Sequence, residues 1–210
     1  MYKRKFFFIV FEGIEGTGKS FQIEKLYKNL KKKNLSVLKT REPGGSKSAE
    51  TIRNLIFSKT SSTFHKKTDY YLMLASRNEH LINTLLPAKK KKLIVISDRF
   101  TDSTYAYQVS GNNIDNKVNL VNKNYILNSF RPDLTIVLKS SLKVINSRLK
   151  KRKQLNKFDK LKNSFFIKVQ NVFIKLAKND KKKYFLIDTS VNNNSAEKKI
   201  LEVISKKLKI

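Results

Sequence analysis

Cysteine is absent from the 210 residues, so neither a disulfide framework nor a thiolate metal site is available. Long apolar runs are missing too, and nothing approaches the roughly 20 residues needed to cross a bilayer. The longest early run, Phe6–Phe11, meets the acidic Glu12 instead of a small-residue cleavage site. It reads as a buried parallel strand and not as a signal peptide. Proline is scarce, with three residues, and no repeat or Pro- or Ser-rich linker marks a boundary. One domain over residues 1–210 is expected, large enough for a real core, in a cytoplasmic protein with no membrane segment. Acidic residues are also few: 16 against 46 Lys and Arg, a formal charge of +30. Such a chain is drawn to polyphosphates. Yet lysines occur in every segment, and no basic block is interleaved with an aromatic platform of the single-strand-binding kind. Lys89–Lys92 precedes a strand, where an exposed loop belongs. The charge therefore reads as solvated surface, and no specific nucleic-acid partner is expected.

Apolar β-rich runs at Phe6–Phe11, Ser36–Thr40, Leu93–Ser97, Leu134–Leu138 and Tyr184–Ile187 predict strands. Helical patterns separate them at about Ser20–Lys32, Ala49–Phe57, Lys67–Leu86, Asn116–Ser129, Leu142–Arg152, Ser164–Asn179 and Ser195–Leu208. In the last, Ser195 offers an N-cap, and Ile200, Leu201, Ile204 and Leu208 form an apolar stripe. The alternation predicts an α/β protein with an approximately five-stranded parallel sheet and helices on both faces. Ligands in such folds bind at the carboxyl ends of the strands.

Directly after the first strand stands Gly13-Ile14-Glu15-Gly16-Thr17-Gly18-Lys19-Ser20, which fits G-x-x-x-x-G-K-[ST] and opens a helix. Three of the chain's six glycines fall here. They let the backbone wrap phosphates, to which the helix N-terminus adds a favourable dipole. Lys19 is expected on the β- and γ-phosphates and the Ser20 hydroxyl on Mg²⁺. The motif indicates nucleotide binding without naming its purpose.

Three further clusters follow strands. The second strand runs into Thr40-Arg41-Glu42-Pro43-Gly44-Gly45. The third ends in Ser97-Asp98-Arg99-Phe100, followed by Ser103-Thr104-Tyr105-Ala106-Tyr107-Gln108. Asp98 is placed to hold Mg²⁺ directly or through water. Arg99 suits bidentate phosphate binding. Basic groups at separate strand ends suggest two phosphate sites face to face, which belongs to phosphoryl transfer. With Phe130-Arg131-Pro132-Asp133-Leu134-Thr135, these motifs resemble, in order and spacing, the bacterial thymidylate kinase family over nearly the whole chain.

The resemblance implies a three-layer P-loop kinase fold with a lid at about residues 148–160, ATP as co-substrate, Mg²⁺, and dTMP as acceptor. It places Arg99 on the dTMP phosphate with Arg53 approaching, Glu42 and a cis Pro43 along the sugar, and Arg77 on thymine O4. Ser103, Thr104 and Gln108 would stand beside base and sugar. The basic segment from Ser147 to Asp159 resembles the lid, and Arg148 and Arg152 would supply the catalytic charge that this phosphate loop lacks. Catalysis would then rest on Lys19, Arg99 and the lid arginines, and a homodimer would form through helices near Lys67–Leu86 and Asn116–Ser129. His65 and His80 read as structural or surface residues.

The chain departs from the family's pattern at Met73, where a phenylalanine usually stacks on thymine, at Val109–Asn113, at Leu138-Lys139, and at Asp159 for a lid glutamate. Met73 keeps a dUMP or broader pyrimidine kinase open. The net charge keeps open a competitor of another class, a basic nucleic-acid-binding ATPase.

Overall fold

Strand β1, Phe7–Glu12, is buried along all six residues, as a central strand covered on both faces must be. Alternation divides it: Phe7, Ile9 and Phe11 face one layer, Phe8 and Val10 the other. The computed structural model describes residues 5–58, 64–191 and 193–210. Within them β2 (Val37–Arg41), β3 (Ile94–Asp98), β4 (Leu134–Lys139) and β5 (Tyr184–Asp188) join β1 in one parallel sheet of order β2-β3-β1-β4-β5. The strands lie within a residue or so of the predicted ones.

On the Phe7 face pack α1 (Lys19–Lys32) and α9 (Ser195–Leu208), through Ile23, Leu26 and Leu30 and through Ile200, Ile204 and Leu208. Burial of each such side chain contributes about 1.5–3 kcal/mol. Ser195 is not the cap of α9 but its first residue, and its N–H is taken by Asn193 Oδ1 at 3.0 Å. On the opposite face Phe8 meets Phe100 edge-on at 5.1 Å, within a cluster closed by Leu81, Leu85, Leu127 and Phe130. A neighbouring cluster carries Ile145 and Leu149 of α7 (Leu142–Lys150) and Phe166, Val169 and Phe173 of α8 (Asn163–Asn179).

Helix α2 spans Lys47–Phe57, two residues earlier than predicted, because Ser46 caps it by accepting from Ala49 N–H at 3.3 Å. The single predicted helix Lys67–Leu86 is α3 (Lys66–His80), a π-helical segment Leu81–Leu85, then α4 (Leu86–Lys90). Pro87 is tolerated at the start of α4, where its missing N–H costs little. The predicted Asn116–Ser129 helix is α6 (Asn116–Val121) continued by a π segment, Asn122–Ile126, and it stops before Asn128 and Ser129 turn to positive φ. Sequence patterning also missed a helix: α5 (Thr101–Thr104) runs into a π segment, Tyr105–Gly111. Its wider turn removes the 3.6-residue spacing that reveals helices, and such segments gather at functional sites. Helix α7 ends at Lys150, so Arg152 stands in the loop between α7 and α8, not on a helix.

Candidate active site

The phosphate loop leaves β1 at Gly13, whose φ is 138° and where an added Cβ would lie 2.3 Å from Leu138 O. Only glycine fits that approach. Gly18, also left-handed at φ 87°, sits at the N-cap of α1. Lys19 folds back so that Nζ donates to Gly13 O at 2.9 Å and Ile14 O at 3.0 Å. Burial, reinforced by the charge of Arg99, pulls its ammonium down to about 8. Arg148 lies beneath the loop, donating to Gly16 O at 3.1 Å and Thr189 O at 2.8 Å. It braces the loop from below and is not among the residues lining the cavity described next.

At the end of β3, Ser20 Oγ is 3.3 Å from Asp98 Oδ2, while Asp98 Oδ1 is buried with no hydrogen-bond partner among the described residues. A buried, unsatisfied carboxylate oxygen beside a hydroxyl fits a hard cation completed by phosphate oxygens and water. Next in the chain, Arg99 takes φ 74°, a conformation uncommon for a branched-free but bulky side chain and costly by about 1–2 kcal/mol. Its backbone N–H donates to Phe11 O at 2.9 Å, and its guanidinium spans Gly13 O (2.9 Å), Ser103 Oγ (2.9 Å) and Glu15 Oε1 (2.6 Å). Burial opposes its charge, but Tyr107, Glu15, Asp98 and Glu12 together hold it protonated above its usual range. Burial would raise Glu15, yet Arg99 and Lys19 prevail and hold it below the ordinary carboxylate range. Glu12 fastens this corner: Oε1 accepts from Phe100 N–H and Ser103 N–H, and Oε2 from Ser103 Oγ at 2.6 Å.

Beyond Arg99 opens a cavity of about 290 Å³. Six cationic side chains line it (Lys19, Arg41, Arg53, Arg77, Arg99, Arg152) against three carboxylates, Glu15, Glu42 and Asp98. The excess favours an anionic ligand. The Glu42–Pro43 bond is cis, as the resemblance implied, and Arg53 NH1 donates to Pro43 O at 2.7 Å. Arg77 is buried, and Nε donates to Glu42 Oε2 at 2.8 Å and NH2 to Thr104 Oγ1 at 2.8 Å. His80 is structural, as read: its ring nitrogens pair with Glu42 Oε1 at 3.0 Å and Thr40 Oγ1 at 2.8 Å. His65 lies at the N-terminus of α3 and accepts from Lys67 N–H at 3.4 Å. Glu42 is thus clamped on both oxygens, with Arg77 and His80 overcoming burial to keep it ionised. Met73, Ser103, Thr104 and Gln108 all line the same cavity.

Across the mouth, Arg152 is bound to Asp159 Oδ1 at 2.5 Å, and Phe158 projects between two rings. Sequence reasoning missed several cavity residues. Arg41 grips Glu50 with two bonds, at 3.0 and 2.7 Å, and Glu50 in turn holds Gly45 N–H at 2.9 Å. Phe57 stacks on the Arg53 guanidinium at 4.6 Å. Tyr107 donates to Glu15 Oε2 at 2.5 Å, and burial lifts its hydroxyl well above the usual tyrosine range. The signals for Arg41 and Tyr107 were present within motifs already singled out. Phe57 had none, since an aromatic at a helix end ordinarily reads as core.

A phosphate loop whose Lys19 and Ser20, with Asp98, open onto the cationic cavity around Arg99 is an arrangement that would hold two phosphorylated ligands end to end; the protein is a nucleotide kinase. The thymidylate kinase family model matches residues 11–200. Thymidylate kinase of Mycoplasma capricolum is 38% identical over 204 residues, 96% of each chain. That of Ruthia magnifica is 36% identical over 203 residues, covering 97% of this chain and 95% of its relative. The crystal structure of thymidylate kinase from Ehrlichia chaffeensis superposes with a TM-score of 0.75 at 29% identity, over 96% of this chain and 99% of that one. The chain belongs to the thymidylate kinase family.

Proposed function

We propose that the chain transfers the γ-phosphoryl of ATP to dTMP, giving dTDP and ADP. The observation that carries this reading is Arg99, poised between the phosphate loop and the acceptor cavity. ATP would lie along Gly13–Ser20, its β- and γ-phosphates drawing Lys19 away from the two carbonyls it now satisfies. Mg²⁺ held by Ser20 and Asp98 would neutralise charge on the phosphates. Arg99 and Arg53 would then be freed to meet the monophosphate. Arg99 would trade its bond to Glu15 for one to a phosphate oxygen. No general base is required, because the acceptor is already an anion. Arg152 would stabilise the transferring group from the lid, and closure would keep water out. Arg148, bonded under the loop, would act by holding it in shape.

Met73 in place of a rigid ring supports a second reading at the level of the base, with dUMP also accepted. Homodimerisation suits the exposed Tyr71, Ile82 and Leu86 of the α3–α4 segment and Leu120 and Tyr125 of the α6 segment. A cytoplasmic setting is proposed with it. The direct test is ADP release from Mg-ATP with dTMP, dUMP, dCMP, dGMP, single-stranded DNA or no acceptor. Stimulation by dTMP is the expected result. Equal stimulation by dUMP makes Met73 the centre of a relaxed specificity, and stimulation only by DNA removes the kinase reading.

A further inference from the structure

Of three consecutive lid residues, two are anchored outside the lid and the third within it, and none is anchored on the phosphate loop. Lys157 Nζ lies 2.7 Å from Asp69 Oδ2 on α3. Phe158 packs edge-on against Phe57 of α2 at 5.7 Å and against Tyr107 at 5.6 Å, closing the cavity from above. Asp159, whose side chain is fully buried, holds Arg152 and accepts from Asn156 N–H at 3.0 Å. Helices α2 and α3 are the elements that supply Arg53, Met73 and Arg77 to the acceptor cavity. The lid is therefore fastened to the acceptor side.

From this arrangement we infer that Lys157 and Asp69 form a latch that positions the lid over the acceptor nucleotide and thereby delivers Arg152 to the transferring phosphoryl. The inference rests on the kinase reading above and adds two positioning residues to it. Asp69 Oδ1 is buried with no hydrogen-bond partner among the described residues, so Lys157 is the lid's dedicated counter-charge to that carboxylate. The pair is only 31% and 17% exposed in its side chains, which shields it from the solvent screening that makes surface pairs weak. The fixed bracket Lys157-Phe158-Asp159 makes the position of Arg152 follow the position of the latch. An acceptor under Phe158 would fill the space against which the lid closes, whereas ATP along the phosphate loop would meet neither Asp69 nor Phe57. Acceptor binding would thus precede full assembly of the catalytic charge, which limits futile hydrolysis.

The test compares the wild-type protein with Lys157→Met, Asp69→Asn and the charge-exchanged pair Asp69→Lys with Lys157→Asp. Titration calorimetry gives dTMP affinity without ATP and ADP affinity without dTMP, and steady-state assays give kcat. Each single variant is expected to weaken dTMP binding and lower kcat by roughly three- to tenfold, the scale of a partly buried charge pair, with ADP affinity unchanged. The exchanged pair should recover much of both. Unchanged ADP affinity also reports that each variant is folded. Single variants that bind dTMP as tightly as the wild type would sink the latch, as would an equal loss of ADP and dTMP affinity. A wild-type protein that binds no dTMP would instead remove the kinase reading, and the latch with it.

Discussion

Lys19 is the residue whose protonation would govern phosphate binding in the loop. Its ammonium is depressed to about 8 by burial first and by Arg99 second. The cationic form binds phosphate, so above that pH binding must include re-protonation, and the apparent affinity falls as pH rises. ADP affinity measured by calorimetry between pH 7 and 9.5 should be flat below about 8 and then fall by up to about tenfold per unit, with proton uptake on binding near pH 8. Lys19→Met should bind weakly and lose this inflection. At this scale the sequence was most informative where a residue's chemistry is dictated by its neighbours in the chain: Lys19, Ser20, Asp98 and Arg99 all lie where their motifs imply. It was silent on the bond between Arg41 and Glu50, nine residues apart on different elements, which only the folded chain brings together.

Elements explain what single residues cannot. The turn from β1 into α1 is possible because Gly13 passes beside β4 with no side chain, at a φ that a Cβ would strain. Gly13→Ala should cost about 3 kcal/mol or more through overpacking against backbone, seen as a lower melting temperature. ADP binding should be lost even where the fold survives. Strands were readable nearly to the residue, because five short apolar runs in an α/β pattern leave little freedom. The π segments were not. Tyr105–Gly111 carries Tyr107 and Gln108 into the cavity through a turn that hydrophobic spacing of 3.6 does not describe. Asn122–Ile126 brings Asn122 behind the cavity wall, where its Oδ1 accepts from Arg77 NH1 at 3.4 Å. Side chains of the site here depend on irregular helix that hydrophobic patterning alone treats as noise.

Across the whole molecule, basic residues recur at one end of the sheet as well as around the site. Each strand is preceded by exposed basic residues: Lys5 before β1, Lys33 before β2, Lys89–Lys92 before β3, Arg131 before β4 and Lys181–Lys183 before β5. In a parallel sheet these turns share one edge, opposite the edge that bears the active site. The carboxylates Glu12, Glu15, Glu42 and Asp98 gather instead around the site. The basic edge should bind duplexes of unrelated sequence equally and weakly, losing that affinity by orders of magnitude between about 50 and 200 mM salt. ADP release with dTMP should be indifferent to such DNA at saturating substrate. DNA-stimulated turnover would show that the two edges communicate. The extreme basicity was legible from composition, but the gathering of one exposed basic group ahead of every strand at a shared end needed the parallel fold.

Asp98 and Arg99 are neighbours in the chain, and consecutive Cα atoms are about 3.8 Å apart. One peptide unit therefore tethers the backbone of the carboxylate proposed to hold the metal to that of the arginine proposed to receive the acceptor's phosphate. That tether is built into the end of β3 and belongs to neither the lid nor the outer helices. An acceptor bearing two phosphates would have to fit its extra group between the carboxylate and the arginine, so the product of one turnover is expected to be a poor acceptor for the next.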